Sequence, residues 1–499
     1  MHPALRNLEV LCTISSYTKR SSLPALASTC REFEHPALDV LWRNLQSVTP
    51  LVSCLPSGLF QTSGKGLALQ KPADGKVWDA FFKYSSRVHS ITAIASLSIL
   101  GTLSLLMLSC PSTPAFFFPN LRKLSLHDDG GRSTAEFLRM ACVPSLVELD
   151  LQIHSASSPA LLVLSSLGTL CPHLQCMTVT LTRATDDSLR KISPFITQPV
   201  SQLHHLHTLS VCDLGNKSIE YLMQLRALQS LSLDFNGSSS WDIRPDTQLP
   251  GFHDLKFLGL SARTVERASN FFSSFQIVRS KEIKVEFIYR VAEFSASGSE
   301  MLSQFFAILQ ERCDNDKLES FSLVGLSKRI PTEFGIFISL RAFRNLTRLV
   351  IENGCDIPMS DEELCQLAKA WPKLQVLKFS RYANTIAVPT FHGLMGLLRL
   401  CPALTSLALV IDTTELDGID LKRPGGGLCN KHLKFLALGN SPMESPLNVA
   451  VIIGGLFPRL EQVQPEPWSS DRWTLVNSFL DGFRLVREQR VEACVCSDI

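Results

Sequence analysis

Three histidines are the residues of this sequence whose type and spacing come nearest to a metal site. His204, His205 and His207 could supply imidazole nitrogens to zinc, and strand alternation would place His205 and His207 on one face. A protein zinc site needs at least three ligands, and the pattern offers no clear third one. We therefore expect polar residues at the edge of a strand, with no bound metal.

Two other motifs could carry chemistry. Gly425, Gly426 and Gly427 follow Lys422-Arg423-Pro424 but lack the trailing Lys-Ser/Thr of a phosphate-binding loop, so we expect a loop between repeats. Cys496 is fourth from the end, as in a prenylation motif, yet the next two residues are not aliphatic. No serine lies in a nucleophile-elbow pattern. These observations predict neither an enzyme nor a cofactor.

The elements that would position any site follow a repeated L-x-x-L-x-L phrase. Its steps of 22 to 35 residues are typical of a solenoid, in which neighbouring repeats stack to bury one continuous core. The copies begin at Leu121, Leu146, Leu174, Leu206, Leu228, Leu255, Leu318, Leu346, Leu374, Leu404 and Leu433, with weak copies at Ile283 and Leu460.

Between these phrases the apolar period changes from two to 3.6, which predicts strands that alternate with helices. Ser133 with Glu136, and Ser360 with Glu363, have the spacing of capping boxes. Several predicted helices end at an X-Pro pair, which pushes the residue before proline to extended geometry. The sequence thus predicts an α/β leucine-rich-repeat solenoid, a horseshoe with parallel strands on the concave face and helices on the convex face.

The strand residues that alternate with the leucines should form the working surface. Small hydroxyl residues dominate it, without the basic stripe and stacking aromatics of a nucleic-acid groove. We expect it to bind a target protein rather than nucleic acid, and an unused solvated face is the alternative. The residues most suited to anchor a target are Phe257, Phe435, Arg348 and Lys378.

The first 55 residues predict a small all-α module, since Leu8, Leu11 and Ile14 fall at helical spacing. Three runs in it, Glu9–Ile14, Leu23–Phe33 and Leu41–Leu45, resemble an F-box. With the repeats behind them, they make the whole chain similar to F-box/leucine-rich-repeat proteins, of the type abundant in fungi such as basidiomycetes. Arg6-Asn7 replaces the Leu-Pro usual in that motif.

The resemblance implies that this F-box-like module binds the adaptor Skp1, and through it a cullin-based ubiquitin ligase, while the repeats hold the target. A helical cap that only shields the first repeat is the alternative, and a scaffold without ligase function is the alternative for the whole chain. The residues that the resemblance implies for Skp1 binding are Leu5, Leu8, Leu11, Ile14, Leu23, Leu26 and Trp42. Some of them must instead fill the core of the module.

Composition indicates compartment and organisation. The net charge is +2, which gives no whole-chain field toward nucleic acid or membrane. An odd count of 15 cysteines and the lack of a secretory signal predict reduced thiols in cytoplasm or nucleus. The uncharged stretch Ile91–Cys110 is long enough to span a bilayer, but its Ser, Thr and Gly residues favour a repeat helix.

The expected domains are residues 1–55, the F-box-like module; residues 56–87, a linker and capping segment; residues 88–465, the repeat solenoid; and residues 466–499, a capping helix with a mobile tail.

Overall fold

The computed structural model describes residues 7–63, 66–69, 71–93, 97–110, 116–182, 186–235, 248–252, 255–287, 298–325, 330–331, 334–352, 355–356, 358–379, 387–464 and 471–496. Two compact units divide the chain, Met1–Ser240 and Trp241–Ile499. We refer to them as the first and the second unit.

The first unit begins with helices and continues as alternating strands and helices. Its α-helices are α1 Leu8–Tyr17, α2 Leu23–Ala27, α3 Arg31–Arg43, α4 Thr49–Ser53, α5 Gly75–Ser85, α6 Leu97–Leu108, α7 Arg132–Ala141, α8 Ala160–Leu164, α9 Leu167–Leu170, α10 Asp186–Val200 and α11 Asn216–Gln224. Its strands are β1 Asn44–Leu45, β2 Phe60–Ser63, β3 Gly66–Leu69, β4 Ser90–Ala93, β5 Lys123–His127, β6 Glu148–Ile153, β7 Cys176–Leu181, β8 Thr208–Cys212 and β9 Ser230–Phe235. Short 3-10 helices span Arg20–Ser22 and Ser57–Leu59.

The second unit repeats the alternation. Its strands are β10 Leu255–Ala262, β11 Ser280–Phe287, β12 Ser320–Val324, β13 Ile330–Pro331, β14 Arg348–Glu352, β15 Cys355–Asp356, β16 Val376–Lys378, β17 Ser406–Ala408 and β18 Phe435–Ala437. Its helices are α12 Val265–Ser273, α13 Gly298–Arg312, a 3-10 helix Phe334–Ala342, α14 Asp361–Ala370, α15 Phe391–Leu400, α16 Pro446–Leu456 and α17 Asp471–Cys496.

In each unit the repeat strands lie side by side in parallel. The order in the first unit is β1-β4-β5-β6-β7-β8-β9, and in the second unit β10-β11-β12-β14-β16-β17-β18. β2 and β3 form an antiparallel hairpin, and β13 pairs with β15. This arrangement confirms the predicted α/β leucine-rich-repeat solenoid; the curvature of a horseshoe stays a prediction.

The repeated leucines form the core because their register brings them into rows. Leu124, Leu149, Met177, Leu209 and Leu231 align across five strands and are at most 1% exposed. Removing one such side chain from water contributes about 1.5–3 kcal/mol. No single repeat can complete this row, so the strands depend on one another for burial.

Two repeat starts differ from the sequence prediction. The weak copy predicted to begin at Ile283 begins at Ser280, because Ile283 itself pairs with Leu258 and Phe321. A buried serine occupies the seat of the first leucine there, which hides the repeat from a leucine search. In the first unit, β1 precedes the strand predicted near residue 88 and pairs with β4, so the parallel sheet already begins at Asn44.

The five predicted X-Pro helix ends are confirmed. The helices α7, α9, α14, α15 and α16 stop just before Cys142, Cys171, Trp371, Cys401 and Phe457, respectively. The proline itself stands one or two residues later. The chain therefore turns from each helix into the next strand where proline excludes further helix.

The uncharged stretch Ile91–Cys110 is divided between two elements. Its first residues belong to β4, and α6 takes only Leu97–Leu108. Leu100, Leu103 and Leu106 are buried, as expected of a repeat helix. Within the part of the chain that the structure describes, no helix has the length and apolar character needed to cross a membrane.

Helix α17 closes the second unit as a cap. Trp473, Val476 and Leu480 on it are buried. The Asn477 side chain accepts from the Val463 N–H at 2.8 Å and donates to the Val463 carbonyl at 2.9 Å. Val463 follows the last strand and bridges Leu436, so Asn477 satisfies backbone groups at the end of the sheet. The helix extends to Cys496.

One of the two predicted capping boxes forms. The Ser360 hydroxyl accepts from the Glu363 N–H at 3.2 Å, and the Glu363 carboxylate accepts from the Ser360 N–H at 2.8 Å. The box predicted at Ser133 is wrong, because α7 starts one residue earlier, after Gly131, and Glu136 binds Arg132 instead.

Replacing Ser360 with alanine is expected to lower the free energy of unfolding by about 1 kcal/mol, since the cap of α14 is lost. Urea unfolding followed by circular dichroism measures the change. Ser133→Ala is the matched control and should change the free energy by less than about 0.5 kcal/mol, because Ser133 caps no helix. Equal losses in the two variants would contradict the assignment of the cap.

Candidate functional site

The strand surface of the first unit consists of the residues that alternate with the buried leucines. One row aligns Lys123, Glu148, Cys176, Thr208 and Ser230, and a second aligns Ser125, Asp150, Thr178, Ser210 and Ser232. Lys123 Nζ lies 2.6 Å from Glu148 Oε1, and Ser125 donates to Asp150 at 3.0 Å. The charges of these two strands are therefore largely satisfied within the surface, which leaves hydroxyl groups as its main chemistry.

The strand surface of the second unit carries more apolar side chains than that of the first unit. Its first row aligns Phe257, Glu282, Ser320, Arg348, Val376, Ser406 and Phe435. Its second row aligns Gly259, Lys284, Ser322, Val350, Lys378, Ala408 and Ala437. Both aromatic residues predicted as anchors are thus in one row, at its two ends, and are half-buried.

Lys378 is held in place by two neighbours. Its ammonium lies 4.8 Å from the centre of the Phe435 ring and 3.9 Å from Glu352 Oε1. The first contact is a cation–π interaction, which orients the charge over the ring face. Arg348 is exposed and forms no ion pair with the residues that the structure describes. The strand surface of the second unit therefore carries the guanidinium of Arg348, which forms no ion pair with a described residue. It also carries the Phe435 ring with the Lys378 ammonium over its face.

Some outward positions are less accessible than alternation predicts. Ser320 and Ser322 are 9% and 7% exposed, although both alternate with buried core residues. They are short and lie between strands that carry the longer side chains of Glu282, Lys284 and Arg348. Within the described parts of the chain, the Ser320 hydroxyl has no hydrogen-bond partner. A partner would meet the long flanking side chains first.

The N-terminal helical surface is formed by α1 and α2. Asn7 caps α1 by accepting from the Glu9 N–H at 2.8 Å, so the residue that replaces the usual proline starts the helix. Leu8 is 64% exposed, and Cys12, one turn further along the same side of α1, is also exposed. Exposed apolar side chains at the start of this helix offer a patch for a partner.

The residues predicted to bind Skp1 fall into two groups. Leu11, Leu23 and Trp42 are 3%, 1% and 6% exposed and form the interior of the module. Leu8 is exposed, and Ile14 and Leu26 are half-buried. Leu5 lies outside the described residues. Helical spacing alone does not separate these groups, since Leu8, Leu11 and Ile14 share it and yet differ in exposure.

Helix α3 is attached to α5, which follows the hairpin. The Trp42 and Tyr84 rings stack with centres 4.5 Å apart, and Lys83 Nζ lies 3.0 Å from Glu34 Oε1. The hydrogen bond from Lys83 lowers the pKa of the Glu34 carboxyl. Arg87 also pairs with Asp39. Through these contacts, helix α3 of the module packs against the rest of the first unit, while α1 keeps an exposed face.

The histidine and glycine motifs lie in segments between the repeat strands and helices. His205 and His207 precede β8, which begins at Thr208, so the expected strand alternation does not apply to them. The His173 and His205 rings lie 5.6 Å apart. Among the described residues, no three His, Cys, Asp or Glu side chains are grouped to hold a metal ion. Gly426 and Gly427 have positive φ angles and form part of a turn, as expected of an inter-repeat loop.

The buried thiols have the opposite character to activated nucleophiles. Burial raises the pKa of Cys212 to about 12 and the pKa of Cys401 to about 12. A hydrogen bond with Cys171, together with burial, raises the pKa of Cys142. These thiols stay protonated near neutral pH, where a nucleophilic cysteine needs its thiolate. They fill the repeat interior as small apolar groups.

Comparisons with known proteins show only distant structural similarity. No protein-family model matches the chain, and no curated protein matches it. A crystal structure of a TLR13–ssRNA13 complex is similar at 15% identity and a TM-score of 0.38, over 78% of this chain and 56% of that one. The leucine-rich-repeat protein LegL7 of Legionella pneumophila is similar at 13% identity and a TM-score of 0.32, over 63% of this chain and 90% of that one.

The chain thus spans little more than half the length of the TLR13 chain, and neither similarity bears on what it binds. The order of strands and helices in each unit is that of a leucine-rich-repeat fold.

Proposed function

We propose that this chain is the substrate-recognition adaptor of a Skp1-cullin-F-box type ubiquitin ligase. The N-terminal helical surface binds Skp1, the strand surfaces bind a target protein, and the catalysis belongs to the partner ligase. The chain contributes proximity between ligase and target. We further propose that it acts in the cytoplasm or nucleus.

The observation that carries the proposal is the exposed apolar side chain at the start of α1. It stands on a module whose helix α3 is packed against α5. Leu8 is 64% exposed on α1, whereas Trp42 on α3 is buried against Tyr84. Exposed large apolar side chains are common singly, but Leu8 stands directly before Glu9–Ile14, the first run that resembles an F-box. The strand surfaces support target binding because parallel rows of mixed side chains offer a broad contact area without a catalytic group.

A leucine-rich-repeat interaction scaffold without ligase function is the second candidate. The burial of Leu11, Leu23 and Trp42 favours it, because these seats stabilise the module and leave a smaller set of residues for Skp1. The two candidates differ in one respect. Only the adaptor needs Skp1.

Skp1 binding is expected to weaken at least tenfold when Leu8 is replaced by aspartate, since the substitution places a charge in an apolar contact. Immobilised full-length chain and purified Skp1 provide the measurement, as a dissociation constant. Leu162→Asp on α8 is the matched control, because Leu162 is also 64% exposed but lies among the repeats. It should leave the dissociation constant within twofold of wild type.

Point variants are preferable to deletion of residues 1–50, because deletion would also remove β1 from the sheet. Circular dichroism of both variants verifies that the chain is folded. If wild type does not bind Skp1, the adaptor proposal is wrong and the scaffold is favoured. If Leu8→Asp binds as tightly as wild type, the assigned docking surface is wrong.

A further inference from the structure

A depression on the helical side of the second unit is lined by three cations. Its volume is about 600 Å³, and its charged residues are Arg341, Arg344 and Lys369. They come from the 3-10 helix Phe334–Ala342, the turn after it, and α14. None of the described residues that line the depression carries a carboxylate. We call these residues and their neighbours the cationic depression.

None of the three cations is neutralised by a described residue. No ion pair joins Arg341, Arg344 or Lys369 to an acid within the described ranges. The nearest acidic residue along α13 is Glu311, which pairs with Arg312 at 3.0 Å. Three uncompensated positive charges around one concave space favour an anion of more than one charge.

Helix ends explain part of this arrangement. Arg341 and Lys369 stand in the last turns of their helices, where the helix dipole favours a cation. That effect accounts for one cation on each helix. It accounts neither for Arg344, which follows the 3-10 helix, nor for the concave space that all three residues line.

The rest of the lining is apolar. Ile338, Ala342, Ala370 and Pro372 border the depression, and Ile338 is 51% exposed. Gln310 adds an amide that can donate to or accept from a ligand. A volume of this size lies within the range of small-molecule sites, about 300–1,000 Å³. Inorganic phosphate alone would leave the apolar border uncovered.

We propose that the cationic depression binds a phosphate monoester carried on an apolar organic group. The guanidinium groups of Arg341 and Arg344 bind the phosphate oxygens by paired hydrogen bonds, since Arg matches phosphate geometry. Lys369 adds a third positive charge. Ile338 and Pro372 contact the organic part. This site belongs to the helical side and is separate from the strand surface used for a target.

Phenyl phosphate is the probe, and isothermal titration of the full chain is the measurement. It should bind at least tenfold more tightly than inorganic phosphate and than benzyl alcohol, because only phenyl phosphate satisfies both parts of the site. Arg341→Gln and Arg344→Gln should each weaken binding about tenfold. Arg399→Gln is the matched control, since Arg399 ends α15 without lining the depression, and should change binding less than twofold.

Equal binding of inorganic and phenyl phosphate would overturn the proposal, because the apolar border would then contribute nothing. Equal loss of affinity in Arg399→Gln would also overturn it, since that result indicates general surface charge. If Arg341→Gln fails to fold, Arg344→Gln decides the outcome, because Arg344 lies outside the helix. Undetectable binding of phenyl phosphate by wild type contradicts the site itself.

Discussion

Replacing Gly251 with alanine is expected to lower the free energy of unfolding by about 3–5 kcal/mol, since backbone strain and steric overlap add. Gly251 has a φ of +100°, a conformation that side chains disfavour. An added Cβ would overlap the carbonyl oxygen of Ile277 and lie 2.8 Å from its carbonyl carbon. Backbone atoms cannot rotate away as a flexible side chain can, so the segment itself must move.

The surrounding hydrogen bonds explain why movement is costly. Leu249 donates to Ser274 at 2.8 Å, and its own carbonyl accepts from Gln276 at 2.8 Å. Arg279 donates to the Phe252 carbonyl at 2.9 Å. Residues 248–252 therefore pair with the chain that follows α12, and Gly251 lies against the Ile277 backbone between these hydrogen bonds. Displacing it would break bonds at both ends of the segment.

Gly427→Ala is the matched control. Gly427 has almost the same φ, +99°, but nothing lies within 4 Å of the position of its Cβ. This variant keeps the strain and lacks the overlap, so we expect a loss of only about 1–2 kcal/mol. Urea unfolding followed by circular dichroism compares the two. Equal losses would show that the close approach to Ile277 does not constrain the second unit.

The repeats could be predicted from the sequence because burial of leucine acts at a fixed period. The leucines of the phrase at Leu121 to Leu126, and those of its copies, reach the core at each repeat strand. Their spacing alone therefore indicates strands and helices. The prediction failed at Ser280, where a buried hydroxyl takes the leucine seat. It also did not identify β1, because two residues have no periodicity to detect.

Packing between helices was beyond prediction for a different reason. Phe272, Phe305, Phe306 and Phe337 make a series of ring contacts at 5.6 to 6.0 Å within the second unit. The rings belong to three helices, α12, α13 and the 3-10 helix Phe334–Ala342, and only the stacking of repeats brings these helices together. The cationic depression has the same origin, since its three cations come from separate segments. Local patterns carry no information about such convergence.

The candidate surfaces were predicted only in part. Phe257, Arg348 and Phe435 hold equivalent positions in their repeats, and the strand register aligns them in one row, which alternation along single strands does not specify. Strand alternation overestimated the exposure of Ser320 and Ser322, since exposure depends on the length of neighbouring side chains. Their use by a partner remains a prediction.

Trp371 connects three successive elements of the second unit. It is 1% exposed, and its indole N–H donates to the Leu340 carbonyl of the 3-10 helix at 3.2 Å. Its own carbonyl accepts from the Cys401 thiol at 3.4 Å, at the end of α15. The side chain thus fills the corner after α14 and satisfies a backbone group of the preceding repeat.

Trp371→Ala is expected to lower the free energy of unfolding by about 3–5 kcal/mol, because it leaves a cavity and removes one of the two hydrogen bonds that the Leu340 carbonyl accepts, the other coming from the Phe343 N–H. Trp371→Phe retains much of the apolar volume and loses the indole donor, so a loss of about 1–3 kcal/mol is expected. Urea unfolding measures both variants. Similar losses would show that the hydrogen bond to Leu340, rather than the volume of the ring, dominates the contribution of Trp371.

Hydrogen exchange tests which segments of the second unit are affected by the loss of Trp371. Because a repeat contacts only its neighbours, the loss of Trp371 should act on adjacent elements first. In Trp371→Ala, amides of Phe334–Ala342 and Phe391–Leu400 should exchange faster than in wild type, while those of Leu255–Ala262 change much less. Uniform acceleration across all three segments would contradict nearest-neighbour coupling and would indicate that the second unit opens as a single cooperative body.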